Sequence, residues 1–151
     1  MNKISIDWLN KKGASANSVA WFKAIFNKSA SFKNLVLALI KDKKWKWSDW
    51  LIVRALNKTQ SIKVAIFVAE QVIDIYEKKY PDDKRPRLMI EAAKVYLNKP
   101  TKKNRLTANV AAHVAAYTAA FAAKHAVYAA YAAAYDDMRT KILQYIIKVA
   151  K

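Results

Sequence analysis

The sequence predicts an all-α protein, a single-domain bundle of about six or seven helices around a long alanine-rich central helix. Residues 110–135 are rich in alanine, the best helix former, and carry a larger side chain at every third or fourth position. The chain has one glycine and three prolines in 151 residues, too few for the many turns of a β-sandwich or barrel. Elsewhere, apolar residues recur at the spacing of amphipathic helices.

The alanine-rich segment carries two heptad rows of larger residues, the a/d pattern of tightly packed helices. It is long enough for a membrane span, but His113, Lys124 and His125 interrupt it and alanine is only marginally apolar. We therefore expect a buried central helix and no membrane span. One row is Val114, Phe121, Tyr128, Tyr135, Ile142 and Val149, and the other is Val110, Tyr117, Lys124, Tyr131, Met138 and Tyr145.

Capping residues predict where the helices begin. We expect helix 19–27 to turn Phe22, Ile25 and Phe26 inward, and Pro81 to stop helix 62–80. Asp136 and Asp137 indicate a kink or a restart near the end of the chain. The predicted helices are 19–27 after Ser18, 32–42 after Ser31, 49–56 after Ser48, 62–80 after Ser61, a segment through Pro86 to about Leu97 after Asp82 or Asp83, and a long helix after Thr101. The apolar stripe of helix 62–80 is Ile62, Ile66, Ala69, Ile73, Tyr76 and Tyr80.

The positive charge is concentrated in the N-terminal part of this single domain, which we expect to span residues 1–151. The formal net charge is +17, and residues 1–60 alone hold 12 basic and 3 acidic residues. A helical hairpin at 61–98 and the long and C-terminal helices at 101–151 complete the domain. Such a charge attracts polyanions and acidic partners, so a binding face is expected within residues 1–60.

Several function classes are not expected. The chain has no cysteine, which excludes disulfides, thiol catalysis and cysteine-ligated zinc and fits the cytoplasm. The two histidines, His113 and His125, are twelve residues apart, whereas zinc chelation from one helix needs an i, i+4 pair. No Gly-rich phosphate loop, nucleophile elbow or HExxH motif occurs. We expect a non-enzymatic protein without a metal or cofactor.

The segment KVAIFVAEQVIDIYEKKYPDDKRPRLMIEAAKVYLNKPT, followed by alanine-rich sequence with periodic tyrosine, resembles the immunity protein-like helical domain of bacteria and phages. The matching features are the YPDD-RPR turn, the EAA helix and the Ala/Tyr-rich helix. Upstream, GASANSVAWFKAIF and WKWSDWLIVRAL also resemble the family, so the likeness covers nearly the whole chain. It implies a helical fold in the cytoplasm of a bacterial host cell. Many immunity proteins against nucleases are acidic, and this basic chain departs from that pattern.

The segment 41–47, KDKKWKW, interleaves cations with aromatic rings, the combination that single-stranded nucleic acid binding uses. The alternative is that Trp47 and Trp50 anchor the helices in the core while the lysines occupy a solvated loop. The candidate contacts are Lys41, Lys43, Lys44, Trp45 and Lys46, supported by Lys11, Lys12, Lys23, Lys28 and Lys33.

Two further groups of residues have a functional and a structural interpretation. Arg85 and Arg87 form a candidate anion clamp, or they pair with Asp82, Asp83 or Glu91 near the next helix. The tyrosine row lines a ligand cavity, or it belongs to the core with its hydroxyls on polar partners. Its members are Tyr117, Tyr128, Tyr131, Tyr135 and Tyr145. The nearby Lys124 snorkels outward, pairs with a carboxylate such as Glu70 or Glu91, or marks where the helix emerges from the core.

The function that these patterns favour is sequence-nonspecific binding of nucleic acid through the lysine-rich face, because no recognition-helix or RNA-motif signature occurs. One alternative is an immunity-type or host-takeover inhibitor that docks on an acidic protein surface. A second alternative is a structural or virion-associated protein.

Overall fold

The computed structural model describes residues 3–102, 104 and 131–150, and this part of the chain is all-α apart from one short strand pair. The predicted fold class is confirmed. The antiparallel strands pair Ile4 with Ala30 and Ser5 with Ser29, and at two residues each they are too short to leave a pattern in the sequence. In chain order the elements are β1 Ile4–Ser5, α1 Ile6–Lys11, α2 Ala16–Phe26, β2 Ser29–Ala30, α3 Phe32–Lys41, α4 Trp45–Ala55, α5 Lys58–Lys79, α6 Arg85–Asn98 and α7 Tyr131–Val149.

The chain divides into two compact units, each of which is described by itself. The first unit comprises residues 1–56 with 146–151, and the second comprises residues 57–145. The end of the first unit's main segment falls close to the end of the predicted basic region at residue 60. The prediction of a single domain stays a prediction.

The first unit has its core where α1 to α4 pack together. α3 contributes residues at the i, i+3, i+4 and i+7 positions of a helix that buries one face. From α2, Phe22 is 1% exposed and its ring lies 5.2 Å from that of the half-buried Phe26. Ile25 is 46% exposed, so its predicted inward orientation is wrong; successive helical residues are rotated by about 100°, which places Ile25 to the side of the Phe22–Phe26 row. The buried residues of α3 are Phe32, Leu35, Val36 and Leu39.

Of the three N-caps predicted in the first unit, one is confirmed and two are wrong. Ser31 caps α3 as predicted, accepting from the Asn34 N–H at 3.1 Å. α2 is capped by Ser15 rather than Ser18, because Ser15 has the extended backbone of an N-cap and accepts from the Ser18 N–H at 3.3 Å. α4 begins at Trp45, four residues before the predicted start. Ser48 therefore lies inside α4, fully buried, and its hydroxyl donates to the Trp45 carbonyl at 2.6 Å.

The second unit is built on the packing of α5 against α6. Ala69 and Ile73 of α5 and Ile90 of α6 form a buried cluster on which Ile66 packs. Three of these four residues belong to the apolar stripe predicted for helix 62–80. Tyr80, the last residue of that stripe, is exposed and lies between the end of α5 at Lys79 and Pro81.

The caps of the second unit also differ in part from the prediction. α5 starts after Asn57 instead of Ser61, since Asn57 and Gln60 form a reciprocal capping box at 2.9 and 3.0 Å. Thr101 accepts from the Asn104 N–H at 3.1 Å, as a cap does. Asp136 and Asp137 lie inside α7, so no restart occurs there. Residues 105–130, with His113, Lys124 and His125, lie outside the described residues, and so do the side chains of Tyr117, Tyr128, Tyr131 and Tyr135.

One side chain of the predicted tyrosine row lies within the described residues. Tyr145, the remaining member of the tyrosine row, stacks on Phe67 with ring centroids 4.1 Å apart and planes 5° from parallel. This contact favours a packing role for Tyr145.

Within the described ranges, no helix combines the length and the apolar character that a membrane crossing requires.

The capping box predicts a measurable contribution to stability. Replacing Asn57 with alanine removes the side-chain acceptor of the Gln60 N–H, and we expect the free energy of unfolding to fall by about 1 kcal/mol. Thr59→Ala, at an exposed position in the same turn, serves as the control and should change the free energy by less than about 0.5 kcal/mol. Urea denaturation followed by circular dichroism measures both, and an equal effect of the two changes would contradict the capping role.

Candidate nucleic-acid interface

The basic segment 41–47 comprises the last residue of α3, a tight turn at residues 42–44, and the first residues of α4. The Lys43 and Lys44 N–H groups donate to the carbonyls of Ile40 and Leu39 at 3.0 and 2.9 Å, and Lys43 has a positive φ of 50°. Asp42 accepts a hydrogen bond from the Trp21 indole at 2.8 Å. These hydrogen bonds attach the turn to the end of α3 and to Trp21 of α2. Lys41, Lys43 and Lys46 are exposed, whereas Lys44 and Trp45 are half-buried.

Four tryptophans of the first unit pack in two pairs beside this turn. The rings of Trp21 and Trp47 are 5.5 Å apart, and those of Trp8 and Trp50 meet edge to face at 6.2 Å. The Lys44 ammonium lies 5.0 Å from the Trp47 ring, a cation–π contact. Trp47 and Trp50 thus help to hold the helices together, as one interpretation of the sequence expected. Neither is fully buried, so both retain surface for a ligand.

Trp21, Trp47 and Trp50 line a cavity of about 240 Å³ in the first unit. Besides the three half-buried indoles, its apolar lining consists of side chains that are at most 5% exposed. Its polar lining comprises Gly13, Ser15, Ser18 and Lys46, of which all but Ser18 are exposed. We call this cavity the tryptophan pocket; it has an apolar floor and a polar, cationic mouth. The floor residues are Leu9, Phe22, Leu35, Leu39 and Leu51.

The lysines of the first unit contrast with Arg85, Arg87 and Lys94 of the second unit, which are held in ion pairs. Residues 1–56 hold 11 basic and 3 acidic residues, too few acids to neutralise the cations. Seven of the predicted contact lysines are exposed and have no ion pair within residues 3–102, 104 and 136–150. An exposed cation without a carboxylate neighbour keeps its full attraction for a ligand anion. These seven are Lys11, Lys12, Lys23, Lys28, Lys33, Lys41 and Lys46.

The candidate anion clamp lies in the second unit, where both arginines already bind carboxylates. Arg85 donates through Nε and Nη2 to both oxygens of Asp83 at 2.8 Å. Arg87 donates through the same two nitrogens to Glu77 at 2.6 Å, and Nη2 also reaches Asp74 at 3.2 Å. An anion would have to compete with these bidentate pairs, so the geometry favours a structural role. The partners of Arg87 lie on α5, outside the set that the sequence suggested.

Asp83 is the central residue of the turn between α5 and α6. It accepts from the Tyr76 hydroxyl at 2.8 Å, from the Arg85 guanidinium, and from the Arg85 backbone N–H at 3.1 Å. The Arg85 guanidinium, followed by the Tyr76 hydroxyl, holds the pKa of the Asp83 carboxyl well below its usual range. The same hydrogen bond raises the pKa of Tyr76. The YPDD-RPR sequence therefore joins α5 to α6 through hydrogen bonds and ion pairs.

The contacts of Asp83 predict that the free energy of unfolding decreases in acid. Because the folded-state pKa of Asp83 is depressed, its stabilising effect is complete above its unfolded pKa of about 4 and is lost as the pH falls through the folded value. We expect the unfolding free energy to fall between about pH 5 and pH 2, and less steeply in Asp83→Asn. Glu77, whose pKa Arg87 lowers, preserves part of the dependence. Asp82→Asn, at the neighbouring exposed carboxylate, is the control, and denaturation midpoints at pH 3 and 6 that shift equally in both variants would contradict the assignment.

Lys94 joins α5 to α6 at a second point that sequence reasoning missed. Its ammonium lies 3.0 Å from Glu70 and 2.7 Å from Glu91. These are the two carboxylates considered as partners for Lys124. The i, i+3 spacing of Glu91 and Lys94 is a visible signal for one of the pairs, whereas the contact with Glu70 requires the packing of the hairpin.

Comparisons with protein-family models, with curated proteins and with solved structures find no match for this chain. The resemblance to the immunity protein-like helical domain stays a prediction. The candidate interface consequently rests on the geometry of the first unit alone.

Proposed function

We propose that this protein is a non-enzymatic nucleic-acid binder that engages its ligand without sequence preference through the lysines of the first unit. The observation that carries the proposal is the exposure, on the first unit, of seven lysines that lack an ion pair within the described residues; one of them, Lys46, lines the tryptophan pocket. Lysines bind phosphates as point charges, and contacts to phosphates carry no sequence information. This chemistry supplies affinity that is independent of sequence and strongly dependent on salt.

The proposed setting is the cytoplasm of a bacterial cell, including one that a phage has infected. The absence of cysteine supports a reducing compartment, and the resemblance noted from the sequence supports a bacterial or phage origin. The clustering of charge supports the first unit as the contact surface, because the clamp arginines of the second unit are held in carboxylate pairs.

Fluorescence anisotropy with labelled oligonucleotides tests the proposal. The expected result is binding of several unrelated sequences with similar affinity at about 50 mM salt and a steep loss of affinity at about 200 mM. Absence of binding to both DNA and RNA at about 50 mM salt would overturn the proposal. A single acidic protein that co-purifies at fixed stoichiometry, together with that absence, would instead identify an immunity-type inhibitor.

A further inference from the structure

We propose that the tryptophan pocket receives one unstacked base of a single-stranded nucleic acid while lysines at its mouth hold the flanking phosphates. This inference rests on the proposed function and adds to it the form of the ligand, single strand rather than duplex. The pocket volume of about 240 Å³ is below the roughly 300–1,000 Å³ of sites that enclose a drug-sized ligand. The pocket therefore suits one ring system better than an extended molecule.

The lining of the pocket matches the faces of a base. Three indoles form part of the wall, and a floor of buried leucines and Phe22 excludes water. Stacking of a base on an aromatic ring contributes about 1–3 kcal/mol and tolerates any base, because every base has a π-face. In a duplex these faces are covered by neighbouring base pairs, so only an unpaired base can enter.

The mouth of the pocket matches the phosphates on either side of that base. Lys46 lines the pocket, Lys12 precedes the lining residue Gly13, and Lys44 contacts the lining ring of Trp47. Among the residues that line the pocket, Lys46 is the sole charged one. Positive charge at the mouth and an apolar floor complement a ligand with an anionic backbone and an aromatic body.

The hydroxyl groups at the mouth explain why no base is selected. Ser15 donates its hydroxyl hydrogen to the Ser18 oxygen at 3.0 Å, and Ser18 donates its own to the Ser15 carbonyl at 2.8 Å. Both hydroxyl hydrogens are therefore used within the chain. Sequence readout requires hydrogen bonds to base edges, and this mouth offers few donors for them.

The test compares a single strand with the duplex of the same length, using anisotropy at one salt concentration. We expect the single strand to bind at least about tenfold more tightly, since stacking of one base adds about 1–3 kcal/mol. Trp47→Leu should lower single-strand affinity about tenfold and leave duplex affinity within about twofold. Trp47→Phe, which retains an aromatic face, should restore most of the loss.

A second variant keeps the test decisive if Trp47→Leu does not fold. Ser18→Leu adds bulk at the pocket lining without removing a core side chain or adding an aromatic face, and it should also weaken single-strand binding selectively. Equal affinity for single strand and duplex, with no selective effect of either variant, would overturn the base-insertion proposal and leave the proposed function intact. Absence of any nucleic-acid binding would overturn both.

Discussion

Replacing Phe22 with alanine is expected to lower the free energy of unfolding by about 3–5 kcal/mol. Phe22 is 1% exposed, packs against Phe26, and forms part of the floor of the tryptophan pocket. Truncation removes the buried ring and enlarges an existing cavity, and both changes are unfavourable. Because a domain of this size is stable by only about 5–15 kcal/mol, the variant should unfold at a much lower urea concentration.

Ile25→Ala is the matched control for that variant. Ile25 lies on the same helix, three residues away, and is 46% exposed. We expect its truncation to cost less than about 1 kcal/mol, since most of the side chain already contacts water. Similar midpoints of urea denaturation for the two variants would show that α2 does not bury the face that carries Phe22.

Reversing the charge of Lys43, Lys44 and Lys46 together is expected to lower nucleic-acid affinity at least about 100-fold at roughly 0.1 M salt. Each change removes a cation from the turn between α3 and α4 or from the first turn of α4, and places a repelling carboxylate near the phosphates. The triple variant Lys43→Glu, Lys44→Glu, Lys46→Glu should retain helical circular dichroism, which separates loss of binding from loss of folding.

A matched control reverses three exposed lysines of the second unit and changes the net charge by the same amount. Lys63→Glu, Lys78→Glu and Lys99→Glu should lower the affinity by less than about fivefold, because exposed charges outside the proposed contact surface are largely screened at this salt. Equal losses in the two triple variants would indicate attraction by net charge alone and would contradict a binding surface on the first unit.

The sequence predicted those features that depend on a few adjacent residues. Ser31 directly precedes the apolar residues of α3 and is its cap, and Pro81, which cannot continue a helix, follows the end of α5. Where two caps lie three or four residues apart, the pattern did not identify the right one. Ser15 rather than Ser18 caps α2, and the same ambiguity affected the start of α5.

Other features depend on contacts between distant residues, which a single sequence does not reveal. The start of α4 at Trp45 was missed because Lys44 offers no capping side chain. The tryptophan pocket joins Trp21 to Trp47, which are far apart in the chain. The lysines and tryptophans of 41–47 predicted a candidate binding segment, but Ser15 and Ser18, which line the same pocket as Lys46 and Trp47, gave no sign of lying beside it.

The salt dependence of binding to a single-stranded oligonucleotide tests the central claim most directly. For a strand held by about four or five lysines, the logarithm of the association constant should fall with the logarithm of the salt concentration with a slope of about −3 to −3.5. The triple variant Lys43→Glu, Lys44→Glu, Lys46→Glu should show a slope that is smaller in magnitude by about 2. A wild-type slope near zero, or a slope unchanged in that variant, would contradict a lysine-based nucleic-acid interface on the first unit.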